Sequence, residues 1–220
     1  MRQMAIIVLV LAYLFGSVPA GAWVSRLYKV DIQKVGSGNT GATNVFRTLG
    51  AVPGVSVLVF DVLKGGIAVL IARLFNIDGW LLGGVAVAAV LGHNYSAFLG
   101  FKGGKGVATS FGTMLFVSPM VALFGIPIFL VTVWLTRYVS AGSMVGAASV
   151  ALMGIWASAP LWQIVTMTFL AGLIFWTHRD NIGRLGAGTE RRFGEKKAPA
   201  QTQAAPEGAA TEPSATTNPG

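Results

Sequence analysis

Val52-Pro-Gly-Val-Ser-Val-Leu-Val-Phe-Asp-Val-Leu-Lys-Gly-Gly-Ile-Ala-Val-Leu-Ile-Ala-Arg-Leu-Phe75 decides the fold. With only Asp61, Lys64 and Arg73 charged, this run matches the ~20 apolar residues that carry a helix across a bilayer. Similar stretches occupy Met4–Leu27, Trp80–Leu99, Val107–Val117, Pro119–Thr136, Met144–Ala157 and Leu161–Thr177. The pattern predicts an all-α membrane protein, a polytopic bundle of about seven transmembrane helices. The count falls to about five if the short spans, Val107–Val117 foremost, are re-entrant. Trp80, Trp134, Trp156, Trp162 and Trp176 sit near the predicted ends, as an interfacial aromatic belt would.

Composition agrees with this reading. The chain of 220 residues is 54% hydrophobic and only 11% charged, whereas a soluble domain keeps about a quarter of its residues charged. Its 29 glycines are spread through the apolar runs, where small residues let helix backbones approach in lipid. There is no cysteine, so disulfides and thiolate metal sites are excluded. The net charge of +8 would suggest nucleic acid in a soluble protein; here it reads as charge retained on one membrane face or as substrate binding.

Thirteen of the sixteen basic residues fall on one side: Arg26, Lys29, Lys34, Arg47, Lys102, Lys105, Arg137, Arg179, Arg184, Arg191, Arg192, Lys196 and Lys197. The positive-inside rule places the N-terminus outside and the C-terminus in the cytoplasm. Met1–Ala20 has the outline of a signal peptide, but cleavage would export Lys29, Lys34 and Arg47, so a retained span is expected. The membrane domain is expected to cover residues 1–195. The Ala/Pro/Thr-rich segment 196–220 is expected to be a disordered cytoplasmic tail.

Three polar segments share the basic face. In the first, Val35–Gly50, Gly36, Gly38 and Gly41 allow the turns that aim successive N–H groups at an anion. Ser37, Asn39, Thr40, Thr43 and Asn44 add hydrogen-bonding groups, and Arg47 adds a forked cation suited to phosphate. Gly36–Gly41 matches a dinucleotide fingerprint, but a span follows it rather than a βαβ unit. A plain glycine-rich connector fits the segment equally well. The second, Gly100–Thr109, resembles a P-loop but has Gly106 where Ser or Thr belongs. Lys102, Gly103, Gly104, Lys105, Gly106 and Thr109 at the mouth of a helix suit an anion cradle better than a chance loop. The third, His178–Arg192, follows the last span and carries Arg179, Asn181, Arg184 and Glu190; Glu190 has the alternative role of pairing with the arginines. Arg137, Ser140 and Ser143 occupy another helix end on this face. Asp61 and Lys64, three apart on one helix face, read best as a mutually neutralising pair.

Gly-Ser-Gly-Asn-Thr-Gly-Ala-Thr-Asn (36–44) with Arg47, Gly-His-Asn (92–94) leading into Phe-Lys-Gly-Gly-Lys-Gly-Val-Ala-Thr (101–109), and His-Arg-Asp-Asn-Ile-Gly-Arg-Leu-Gly-Ala-Gly-Thr-Glu (178–190) together resemble the bacterial acyl-phosphate-dependent glycerol-3-phosphate acyltransferases. Gly-Ser-Val-Pro (16–19), Asp-Val-Leu-Lys-Gly (61–65) and Arg-Tyr-Val-Ser (137–140) support the resemblance, which spans about residues 5–195. Ser96 stands where that family leads one to expect a proline nearby. The resemblance implies transfer of a fatty acyl group from acyl phosphate to the 1-hydroxyl of glycerol 3-phosphate at the cytoplasmic face of a bacterial inner membrane. Lysophosphatidic acid and phosphate would be the products, and neither metal nor nucleotide would be needed. Catalytic roles are then expected for Ser37, Asn39 and Arg47 on the acyl-phosphate head, and for His178 and Asn181 near the reacting hydroxyl. The second loop would hold glycerol 3-phosphate. His178 is the candidate protein base, with a substrate phosphate as the alternative. A transporter or flippase for organophosphates or phospholipids, and a scaffold for anionic lipid headgroups, are the competing readings. No oligomeric state follows from the sequence, and a monomer is compatible with it.

Overall fold

The computed structural model describes residues 2–195. The proposed tail, 196–220, lies outside the described residues. Ten α-helices follow in order: α1 (Arg2–Gly16), α2 (Ala20–Leu27), α3 (Ala42–Leu49), α4 (Ala51–Leu74), α5 (Gly79–Asn94), α6 (Val107–Val117), α7 (Pro119–Thr136), α8 (Val139–Trp156), α9 (Leu161–Thr177) and α10 (Arg179–Gly186). Five segments are long and apolar enough to cross a membrane, α1 and α2 together forming the first; α9, which bends by 57° into α10, makes a sixth. The remaining apolar stretch, α6, has 11 residues and a length of ~16 Å, about half of a ~30 Å hydrocarbon core.

Large side chains face outward and small ones inward. Leu58, Leu63, Ile71, Leu130, Leu152 and Phe169 are exposed, while Ala68, Ala72, Ala86, Ala89 and Val69 form the core with Leu82 and Val90. That inversion suits a lipid solvent, which removes any penalty for an exposed leucine and rewards close backbone contact. Glycines make the contacts close. A Cβ at Gly16 would strike the Ala89 carbonyl, and one at Gly92 the Tyr13 carbonyl, so α1 and α5 touch backbone to backbone. Gly65 and Gly112 do the same for α4 and α6 against Thr109 and Val62.

The first span breaks at Ser17–Pro19, where proline withholds an N–H; within the break, Lys64 Nζ from α4 donates to the Val18 carbonyl at 2.9 Å. The far end of α6 is anchored to the last turn of α4 and the first turn of α9. Arg73 and Gln163 both donate to the Val117 carbonyl, at 3.3 and 3.5 Å. Its other end, at Gly106, meets the ends of two neighbouring spans, packing against Asn94 of α5, while Thr177 of α9 donates to the Lys105 carbonyl. The chain reaches Gly106 by passing beyond Asn94, turning through a short 3-10 segment at Ala97–Leu99, and doubling back so that Gly104 N–H donates to the His93 carbonyl at 3.0 Å. Trp80, Trp134, Trp156 and Trp176 are exposed at helix ends, but Trp162 packs on the core beside Gly83.

Gly112→Leu should force α6 off α4 and lower stability by about 1–3 kcal/mol, the usual cost of overpacking. Gly172→Leu, whose Cβ meets no atom within 4 Å, is the matched control and should leave the thermal midpoint in detergent unchanged.

Candidate active site

One cavity of about 720 Å³ opens beside α6, with Lys105 and Gly106 at its mouth. Its polar end is lined from all three segments by Ser37, Arg47, Lys105, His178, Asn181 and Glu190, with Ser140 and Ser143 from α8. Its apolar arm runs between α6, α7, α8 and α9 past Met114, Ile126, Phe129, Val150 and Leu170.

The first segment is more ordered than a connector. Residues 42–49, expected to continue the loop, form α3, and Gly50 with φ 99° turns the chain into α4. The loop before it closes around one side chain. Buried Asn44 donates through Nδ2 to the carbonyls of Ile32, Val35 and Asn39, at 3.3, 3.0 and 2.9 Å, and its Oδ1 accepts the Ser37 N–H at 3.0 Å. Asn39 Oδ1 accepts the Gly41 N–H at 2.8 Å, and Gly38 N–H goes to the Val35 carbonyl. The anion nest expected from Gly36, Gly38 and Gly41 is thus largely filled by the loop's own amides. The groups left for a ligand are the Ser37 and Thr43 hydroxyls, the α3 N-terminus and Arg47. Asn39 also reaches the second loop, donating to the Gly103 carbonyl at 3.5 Å.

The second segment divides by residue. Lys105 and Gly106 line the cavity; Lys102 is exposed outside it. Gly103 and Gly104 are packed against His93 and Asn94, where a Cβ would collide. Thr109 is fully buried against Gly65 in the α4–α6 contact. These three are placed by backbone packing, and none lines the cavity. Gly38 and Arg137 also lie outside the lining.

The third segment supplies a connected network. Glu190 accepts from Ser140 Oγ at 2.8 Å and Asn181 Nδ2 at 2.6 Å through Oε1, and from Arg184 Nε at 2.7 Å through Oε2. Asn181 Oδ1 accepts from Lys105 Nζ. Burial opposes the Glu190 charge, but the hydrogen bonds from Arg184, Asn181 and Ser140 prevail and hold its carboxyl below the ordinary value. Burial first, then the positive charge of Arg184, push the Lys105 ammonium down to about 8. His178 Nδ1 lies 2.8 Å from the Ile174 carbonyl, which fixes a neutral tautomer with Nδ1–H donating and Nε2 free. Burial and the neighbouring Lys105 push this imidazole down to about 4.

A strap crosses the mouth. Arg47 donates to the Arg191 carbonyl and Arg191 to the Gly36 carbonyl, both at 3.2 Å, while the Phe193 ring meets Phe46 at 5.9 Å between centroids. Arg137 serves the strap, exchanging backbone and side-chain hydrogen bonds with Phe193. Sequence reasoning left out Arg191, Thr189 and the wall residues Asp61 and His93. The Gly-His-Asn motif at 92–94 was the available signal for His93; Arg191 looked like one more surface cation.

Fold and cavity define a class: a multi-pass integral membrane protein that brings a cationic pocket and an apolar channel into one site. Comparison with known proteins makes this specific. A family profile described as glycerol-3-phosphate acyltransferase matches residues 6–188. A glycerol-3-phosphate acyltransferase of Thermus thermophilus is 60% identical over 87% of this chain and 96% of its own length. Glycerol-3-phosphate acyltransferase 1 of Deinococcus radiodurans is 48% identical over 89% and 99%. The crystal structure of PlsY (YgiH), an integral membrane glycerol 3-phosphate acyltransferase, in its glycerol 3-phosphate form superposes with a TM-score of 0.83 at 45% identity, covering 87% of this chain and 96% of that one. Its lysophosphatidic acid form gives 0.81. The chain belongs to the glycerol-3-phosphate acyltransferase family, and it is an enzyme rather than a transporter or scaffold.

Lys105 carries its charge only below its lowered pKa of about 8. A substrate phosphate bound by Lys105 would therefore show a KM that rises as pH climbs through 8 in the wild type. Lys105→Arg, charged throughout, should flatten that limb in a steady-state pH series.

Proposed function

We propose that the enzyme transfers a fatty acyl group from acyl phosphate to the 1-hydroxyl of glycerol 3-phosphate, forming lysophosphatidic acid and inorganic phosphate. The observation that carries this reading is the single cavity in which the cationic pocket of Arg47, Lys105, Arg184 and Arg191 continues into the apolar arm. Such a shape suits a donor with a charged head and an aliphatic chain, beside a small phosphate ester. The basic residues gathered at this end support a cytoplasmic orientation in a bacterial inner membrane.

An acyl phosphate is a mixed anhydride whose phosphate leaves readily, so the protein's task is placement and charge stabilisation. Arg47 and the α3 N-terminus would take the donor phosphate, with the Ser37 hydroxyl beside them. Lys105, held by Asn181, would take glycerol 3-phosphate. The acceptor hydroxyl then attacks the acyl carbon, the carbon–oxygen bond to phosphate breaks, and one proton must leave the hydroxyl. His178 Nε2 is available for it, yet an imidazole pushed down to about 4 is a weak base. That observation favours a second reading of this step, in which the departing phosphate takes the proton and His178 orients the hydroxyl. Both substrate phosphates are dianions near neutrality and are more basic than such an imidazole.

Purified enzyme in mild detergent, given long-chain acyl phosphate and glycerol 3-phosphate without nucleotide, should form lysophosphatidic acid and phosphate in equal amounts. Arg47→Ala should abolish turnover, and Arg47→Lys should restore little of it because the forked geometry is lost. If no product forms, and acyl-CoA and acyl-carrier-protein donors serve instead, the donor assignment is wrong. His178→Ala should lower kcat by about tenfold or less if phosphate takes the proton; a loss of about 100-fold or more would identify His178 as the base.

A further inference from the structure

Beneath the second loop lies a polar cluster to which none of the three motif segments contributes a side chain. Lys64 Nζ is 2.8 Å from Asp61 Oδ1, and His93 Nδ1 is 3.4 Å from the same oxygen, with all three side chains buried. Burying an ion pair in a membrane span is costly, and apolar residues would pack the helices as well or better. The pair does, however, give the His93 ring a fixed direction. Asp61 takes the Nδ1 edge, so the Nε2 edge faces the opposite way, against the backbone of Gly104. A Cβ on Gly104 would collide with Nε2. The His93 carbonyl accepts the Gly104 N–H at 3.0 Å, and Gly103 presses on that same carbonyl. One residue on, Asn94 packs against Gly106, where a Cβ would lie 2.7 Å from Oδ1. The limb 103–106 thus rests on His93 and Asn94. Thr177 Oγ1 fixes it from the side by donating to the Lys105 carbonyl at 3.1 Å. With its backbone held on two sides, Lys105 is left to extend into the cavity and reach Asn181.

We propose that His93, oriented by the Asp61–Lys64 pair, is a positioning residue for the transfer reaction: it seats the limb 103–106 and so sets where the Lys105 ammonium meets a substrate phosphate. The inference rests on the reading of Lys105 as a phosphate ligand, whichever substrate that phosphate belongs to. His93 acts through the loop, so its loss should weaken binding of one substrate while the chemistry at the acyl carbon is largely kept.

The experiment is a double-mutant cycle on purified full-length enzyme, with kcat and both substrate KM values measured for wild type, His93→Leu, Lys105→Met and the double variant. His93→Leu is expected to raise by about tenfold the KM of the same substrate that Lys105→Met affects, with the other KM and kcat within about threefold. The double variant should be no worse than Lys105→Met alone, because the seat has nothing left to place. His93→Asn, which keeps a donor for Asp61 but lacks the Nε2 edge against Gly104, should recover little of the loss. If His93→Leu does not fold, Gly104→Ala, whose Cβ would drive the limb and the His93 ring apart, should show the same split. Multiplicative penalties in the double variant, a fall in kcat with both KM values unchanged, equal shifts in both KM values, or no change in His93→Leu would each overturn the proposal. If Lys105→Met itself moves neither KM, the phosphate-ligand reading falls and takes the proposal with it. If Lys105→Met raises a KM and His93→Leu does not, only the proposal falls.

Discussion

A polar group below the surface of a bilayer has no water to turn to, so the protein must supply its partner. The second loop places this constraint at the centre of the molecule, because it packs Lys105 and a glycine-rich limb between the ends of α5, α6 and α9. The rest of the site answers to that choice. Lys105 is met by Asn181, Asn181 by Glu190, and Glu190 by Arg184 and Ser140, so one carboxylate serves a chain of donors from three segments. Below the limb, Asp61, Lys64 and His93 form a second closed set.

The site keeps an excess of positive charge despite this pairing. Arg47, Lys105, Arg184 and Arg191 surround the polar end, while Glu190 is the carboxylate placed among them. The first loop adds no anion; it is organised by the neutral amides of Asn44 and Asn39, which satisfy its backbone without cancelling Arg47. Neutral residues build the frame and cations face the space, a division suited to binding phosphate groups rather than to storing an internal ion pair.

Much of this was legible in the sequence, for identifiable reasons. Apolar runs such as Val52–Phe75 announce membrane helices because the bilayer sets their length. Arg47, Lys105, His178 and Glu190 stood out because polar side chains are scarce in this composition, and the structure gathers them around one cavity. What stayed hidden depends on pairing across the chain. Asn44 lines the cavity and also organises the loop, a role hidden because its four partners are backbone atoms that a motif does not reveal. Gly103, Gly104 and Thr109 looked like a cradle and are packing surfaces, because a glycine that admits an anion and one that admits a neighbouring backbone are the same letter. Helix α3 was missed because its eight residues carry no long apolar run.

The strap over the mouth bears on how the enzyme is made. Arg47 and Arg191 are 144 residues apart in sequence, and Arg191 and Gly36 are 155 apart, yet they exchange hydrogen bonds at 3.2 Å. When the first loop emerges from the ribosome, the residues that will roof it are still untranslated, and α7, α8 and α9 must insert before Arg191 can arrive. The pocket is therefore the last part of the molecule to be completed. A chain halted partway through insertion therefore carries early spans of this fold around a pocket still open on the side that Glu190 and Arg191 line.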